Sequence, residues 1–165
     1  MRYPNIAAEV AAQRCKAGFG FDTLALCARV TRELLHDIVW GDEPLTAAEA
    51  IDLHRALTPL GSYEGFSLGY LLSPRPAVVL PGTNKGKQRL FTLRRLIGEA
   101  ERVTPAHWYQ EPREHARHTL ELMEAGEAVP YADYRAAMVL AKRMLADDAA
   151  SNAKRRRRGK QETPT

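Results

Sequence analysis

The chain has only two cysteines among its 165 residues, Cys15 and Cys27, and no Cys/His spacing suited to zinc. A disulfide scaffold and a zinc-held fold are therefore excluded, and we expect both cysteines to be small core residues. No apolar run approaches the roughly 20 residues needed to cross a bilayer. The first residues, Met1-Arg2-Tyr3-Pro4-Asn5, lack the apolar stretch of a secretory signal. We expect a cytoplasmic protein without a membrane-spanning segment.

Sequence patterns that carry chemistry are also scarce. The segment 82–88 resembles a phosphate-binding loop, but its spacing is one residue short and Gln88 stands where a Walker loop has Ser or Thr. No serine lies in a GxSxG context. The densest His/carboxylate cluster lacks the Glu-x-x-His spacing of a carboxylate-bridged metal site, so we expect helix-supporting i,i+4 pairs there. Its members are Glu111, Glu114, His115 and His118. We expect no enzyme, metal or cofactor.

Positive charge is thin except at one end of the chain. Residues 1–80 carry 7 basic and 9 acidic residues, residues 81–150 carry 11 and 10, and residues 151–165 carry 6 and 1. The last group consists of Lys154, Arg155, Arg156, Arg157, Arg158 and Lys160. Because such a run repels itself, we predict a disordered tail that contacts a polyanion. Nucleic-acid contact is favoured over a solubilising role or a nuclear-localisation signal.

Apolar spacing predicts helices along most of the chain, with proline and glycine between two halves. We predict a domain at 1–74, a linker at 75–89, a helical region at 90–149 and a disordered basic tail at 150–165. The first half shows five short helices, and Thr46 with Glu49 matches a capping box at the start of the fourth. The second half shows three amphipathic helices suited to a small bundle. The apolar run 77–80 suits a short strand or a segment lying on a helix.

Residues 24–41 resemble the helix-turn-helix of the Cro and phage-repressor family, and the resemblance extends over roughly residues 3–73. Ala25 fits the small residue where the two helices cross, and Thr31 fits the amino-terminal cap of the second helix. Trp40-Gly41 resembles the point where the family's recognition helix ends. Apolar residues that fix the angle between the helices match at Leu24, Ala28, Val30, Leu35 and Ile38.

The resemblance implies an all-α, five-helix repressor-like domain that reads double-stranded DNA with the helix from about Thr31 to Val39. The positions that read DNA in the family fall on Thr31, Arg32, Glu33, His36 and Asp37. It also implies a transcriptional regulator of bacterial or phage type, associated with the nucleoid. Such regulators are dimers, and residues 90–148 are the expected self-association surface.

Two features of the sequence keep an alternative open. Arg29 stands at the turn position where the family has glycine, and a left-handed backbone there costs a residue with a side chain about 1 kcal/mol. Two of the five reading positions, Glu33 and Asp37, are acids, which phosphates repel. The alternative is a degenerate helix-turn-helix that serves as a protein-interaction module or accessory subunit, with non-specific nucleic-acid contact through the tail.

Overall fold

The computed structural model describes residues 3–17, 21–40, 46–57 and 67–161, and it is mostly helical, as the sequence predicted. Within this part of the chain, no helix is both long and apolar enough to cross a membrane. The elements in chain order are α1 (Pro4–Ala17), α2 (Phe21–Ala28), α3 (Arg32–Trp40), α4 (Ala47–Leu57), α5 (Leu68–Leu71), β1 (Val78–Val79), α6 (Asn84–Val103), α7 (Gln110–Glu124), β2 (Val129–Pro130) and α8 (Tyr131–Gln161).

Helices α1 to α5 surround a first apolar core. Its fully or almost fully buried members are Ile6, Val10, Leu24, Ala25, Leu35, Ala50, Leu53 and Leu71. The start of α4 confirms the predicted capping box: the Thr46 N–H donates to Glu49 Oε2 at 2.8 Å, and the Glu49 N–H donates to Thr46 Oγ1 at 3.3 Å. These bonds satisfy amides that have no partner inside the helix.

Helices α6, α7 and α8 form a second core, the small bundle that the sequence predicted. Its buried side chains include Leu93, Ile97, Ala116, Met123, Leu140 and Met144. Strand β1 pairs antiparallel with β2, so that Val79 lies opposite Val129. Gly86, in the first turn of α6, lies so close to the strand that a Cβ there would be 1.7 Å from the Leu80 carbonyl oxygen. Only glycine allows this approach.

The structure corrects two predicted boundaries. The segment 75–89 is not an irregular linker throughout, because it contains β1 and the first turns of α6. The predicted disordered tail at 150–165 instead continues α8 to Gln161. Alanines precede the basic run and favour helix, and cations at the carboxyl end of a helix interact favourably with its dipole by about 0.3–1 kcal/mol each. This gain offsets repulsion of about 0.2–0.5 kcal/mol per like-charged pair.

The two halves share a buried contact between α1 and α8. Ala12 of α1 is buried together with Ala132 and Ala136 of α8. Small side chains let the two helices approach closely, and an ion pair between Glu9 and Arg135 lies in the same contact. The division into separate domains stays a prediction, but the halves touch through apolar and charged side chains alike.

Candidate nucleic-acid interface

The connection from α2 to α3 is a tight turn with a left-handed residue. Arg29 has φ 56°, which is the conformation that the sequence predicted at this position. The Val30 N–H donates to the Ala25 carbonyl at 3.1 Å, and the Arg29 N–H donates to the Leu26 carbonyl at 3.4 Å. Together these bonds form a Schellman motif, which ends a helix and fixes the direction of the chain that follows. The direction of α3 is therefore set locally.

Helix α3 begins on a side-chain cap. The Leu34 N–H donates to Thr31 Oγ1 at 3.2 Å, so that Thr31 caps the helix as the sequence predicted, and α3 itself begins one residue later. Leu35 is fully buried in the first core, and Leu34 and Ile38 pack against that core. Because the underside of α3 is held in this way, its opposite face points away from the core.

The five predicted reading residues share this outward face. Thr31, Arg32, Glu33 and His36 are exposed and Asp37 is half-buried. Helical geometry places Arg32 beside His36 and Glu33 beside Asp37, one turn apart. The His36 ring also meets the ring of Phe21 edge-on, with 6.2 Å between the centroids. The structure thus brings the predicted residues together on one surface.

Acidic side chains border this surface on both helices. Arg32 Nε lies 3.5 Å from Asp22 Oδ1 of α2, and the two side chains are 63% and 81% exposed. His36 Nδ1 lies 3.7 Å from Asp37 Oδ1. An exposed ion pair is worth at most about 1 kcal/mol. A phosphate or a guanine edge can therefore replace Asp22 as the partner of Arg32 at little cost.

The other predicted contact residues lie at the carboxyl end of α8. All six basic residues from Lys154 to Lys160 are exposed. Neighbouring residues of a helix point about 100° apart, so this run presents cations on every side of α8. The structure does not place these residues against α3.

Sequence reasoning missed a polar network around α1. Arg135 Nη1 donates to Glu9 Oε1 at 3.1 Å, and the Tyr70 hydroxyl donates to the same oxygen at 3.2 Å. Burial, with the charge of Glu9, raises the pKa of Tyr70. Asn5 adds three bonds nearby: its side-chain amide donates to the carbonyls of Tyr70 and Arg75, and its Oδ1 accepts from the Ala77 N–H. The signal was an acid, Glu9, placed between the buried Ile6 and Val10.

The aromatic pair before α7 attaches a loop to the second bundle. Tyr109 packs against the second core, and its hydroxyl donates to Asp147 of α8. The Arg143 guanidinium lies 5.4 Å from the centre of the Tyr109 ring. These contacts fasten the loop before α7 to α8 through Tyr109.

One histidine of the His/carboxylate cluster on α7 contacts an acid of α8: His115 Nε2 lies 3.2 Å from Asp133 Oδ1. The i,i+4 pairs within α7 stay a prediction. Among the described residues, no three His, Cys, Asp or Glu side chains are grouped as metal ligands.

Some of the sequence interpretation falls outside the described residues. Gly41 is one such position, and so are the side chains of Cys15, Cys27, Ala28 and Trp40. Compared with protein-family models, with curated proteins and with solved structures, the chain shows no match. The interpretation of α2 and α3 therefore depends on their geometry and sequence pattern.

Proposed function

We propose that the chain is a DNA-binding regulator of bacterial or phage type, in which α2 and α3 form a repressor-like helix-turn-helix within the five-helix unit α1–α5. One observation carries the proposal: a left-handed turn at Arg29 holds α3 with its underside buried and its Thr31–Asp37 face exposed. A helix held in this way can enter the major groove, which is about 12 Å wide. The sequence resemblance supports the same function.

The side chains on the exposed face of α3 suit base recognition. Arg32 can donate two hydrogen bonds to O6 and N7 of guanine, and Glu33 or Asp37 can accept from the cytosine amine. His36 lies one turn beyond Arg32 and can donate to a base edge or a phosphate. Phosphate contacts, which supply most of the affinity, come from the basic end of α8. Acids on α3 then serve selectivity at the expense of affinity.

A homodimer is the assembly that the resemblance implies. Residues 90–148 are all described, and their exposed large apolar side chains are Phe91 and Val103. The remaining apolar face of that region is largely buried inside the bundle of α6, α7 and α8. We therefore propose that any dimer contact in this region uses Phe91 of α6. Light scattering tests this by comparing the molar mass of Phe91→Ser with that of the parent chain.

The test of the proposal is selection of preferred duplexes from a random pool, followed by anisotropy titration of selected and random duplexes. Replacing one bidentate Arg–guanine contact costs about 1–3 kcal/mol, which is about 5- to 150-fold in affinity. We expect Arg32→Ala to weaken the selected duplex by that factor and random duplexes by less than about twofold. Arg55→Ala is the matched control, because Arg55 is also exposed and pairs with an acid, Asp52.

Two results contradict the proposal: selection that recovers no preferred sequence, or a preference that Arg32→Ala leaves unchanged.

The second candidate is a protein-interaction module, and one observation favours it. Leu26 is 81% exposed on α2, one turn after the exposed Asp22. An exposed apolar side chain beside an acid suits a basic amphipathic partner. Under this candidate, Arg32→Ala and Arg55→Ala have equal effects on DNA affinity.

A further inference from the structure

The basic residues of the chain are concentrated in two segments that contain no acid. Residues 75–98 hold six Lys or Arg residues, and residues 154–160 hold another six. The rest of the chain holds the other twelve basic residues and all twenty acidic ones. Outside these two segments the protein is therefore net negative by eight, so non-specific attraction of a polyanion comes mainly from the two segments.

The first segment contributes a cluster at the start of α6, which we call the α6 patch: Lys85, Lys87 and Arg89. Lys85 and Lys87 are exposed, and no described carboxylate lies within ion-pair distance of either. Arg89 is held in place, with its guanidinium 5.4 Å and 5.6 Å from the ring centres of Tyr131 and Tyr134.

Helix stability does not explain the α6 patch. Cations near the amino end of a helix are disfavoured by its dipole, by about 0.3–1 kcal/mol each. Farther along α6, Arg94 and Arg95 are engaged by Glu124 and Glu99. The patch is thus the part of the segment whose lysines are available to an external anion.

The second segment is the tail patch, Lys154–Arg158 with Lys160, and α8 connects the two patches. Arg89 lies over Tyr131, the first residue of α8, and Lys154 follows 23 residues later in the same helix. At 1.5 Å per residue this separation is about 35 Å. One turn of B-DNA is about 34 Å long. Because the tail patch presents cations on every side of α8, some of them face the same way as the α6 patch.

We propose that the α6 patch and the tail patch contact phosphates of one DNA duplex about one helical turn apart, with α8 as the spacer between them. The proposal rests on the proposed function only for the identity of the partner as duplex DNA. It does not use α3 or a preferred sequence. Phosphate contacts of this kind carry no sequence information and add affinity by releasing counterions.

The experiment measures the affinity of the full chain for random duplexes of about 8 and about 24 base pairs, shorter and longer than the roughly 10 base pairs of one turn. Three variants accompany the parent chain: Lys85→Gln with Lys87→Gln, Gln at all six tail-patch positions, and the control Arg55→Gln with Lys142→Gln. Circular dichroism verifies that each variant keeps the parent's helix content. The control removes two exposed cations that lie outside both patches. A longer duplex offers more overlapping binding sites, and the control measures the gain in affinity that this effect alone produces.

We expect the parent and the control to gain more affinity from the longer duplex than either patch variant does. Loss of two phosphate contacts lowers the salt slope by about 1.8, so the affinity drop between roughly 50 and 200 mM salt becomes about tenfold smaller for Lys85→Gln with Lys87→Gln. The proposal is overturned if Lys85→Gln with Lys87→Gln has the same length dependence and the same salt slope as the control, even where Arg32→Ala still abolishes a sequence preference. If binding depends on duplex length but shows no sequence preference, the two-patch proposal is sustained and only the role of α3 is lost. If the chain binds no duplex at low salt, the two-patch proposal and the proposed function are both contradicted.

Discussion

Removing the charge of Glu9 should destabilise the protein far more than removing an exposed partner of another ion pair. The Glu9 side chain is fully buried, and that of Arg135, 3.1 Å away, is 8% exposed. Glu9→Gln keeps the size of the side chain but removes the negative charge 3.1 Å from the buried guanidinium of Arg135. Breaking a buried pair from one side costs about 3–5 kcal/mol. We expect a loss of that size in the free energy of unfolding.

The assay is urea denaturation followed by circular dichroism, supported by thermal melting. For a chain of this length, the same loss corresponds to a melting temperature lower by roughly 6–20 °C. Arg117→Gln is the matched control, because Arg117 Nη2 lies 2.8 Å from Glu101 and both side chains are partly exposed. An exposed pair contributes at most about 1 kcal/mol. The control should therefore lose no more than that.

A second variant separates the cost of breaking the buried ion pair from that of lost packing. Replacing both partners, Glu9→Leu with Arg135→Met, removes both charges and leaves apolar side chains in the contact between α1 and α8. Such replacements are often neutral or stabilising. We expect the double variant to recover most of the stability lost by Glu9→Gln. The reasoning is refuted if Glu9→Gln costs no more than Arg117→Gln.

Gly86 and Gly98 of α6 should respond in opposite ways to alanine: Gly86→Ala meets the Leu80 carbonyl and should lose about 1–3 kcal/mol, whereas Gly98→Ala enters open space and should gain up to about 1 kcal/mol. Urea denaturation measures both, and the reverse order contradicts the described packing. Arg29→Gly should add about 1 kcal/mol, because φ 56° strains any residue with a Cβ, and a loss in the same assay contradicts a left-handed turn. Burial raises the pKa of Tyr70, and Glu9 adds to the shift, so this hydroxyl stabilises the fold below the ordinary tyrosine pKa of about 10 and less as the pH rises above it. Between about pH 9 and 12, the free energy of unfolding should thus fall less steeply with pH for Tyr70→Phe than for the parent chain. Equal slopes for the two proteins contradict a raised pKa of Tyr70.

Local chemistry explains why the sequence predicted the start and end of several helices. The Thr46–Glu49 capping box, the Thr31 cap and the left-handed Arg29 each depend on residues within five positions of one another. Such short-range patterns have few alternative conformations. The same holds for the apolar spacing that predicted the bundle of α6, α7 and α8.

The contact between α1 and α8 could not be predicted in the same way. Glu9 and Arg135 are 126 residues apart, and nothing near either one indicates its partner. A buried acid in an apolar helix face signals only that some cation must accompany it. The lysines of the α6 patch became candidates for external contact only when the acids that pair with Arg94 and Arg95 were known.

The tail shows how competing local effects can mislead. Charge repulsion favoured disorder after residue 150, whereas the alanines before the basic run and the helix dipole favour continuation of α8. Stabilisation by the helix dipole and repulsion between the cations are each below about 1 kcal/mol per residue. Their balance therefore depends on the part of α8 that precedes the basic run, and that part is packed in the bundle.

The most direct test of base reading by α3 is a cycle between Arg32 and a single guanine atom. In each selected duplex, every guanine is replaced in turn by 7-deazaguanine, which lacks the N7 acceptor, and affinity is measured for the parent and for Arg32→Ala. At one guanine we expect the parent to lose about 1 kcal/mol or more while Arg32→Ala loses almost nothing, because the bond is already absent. Equal losses for both proteins at every guanine would contradict recognition of DNA by this helix.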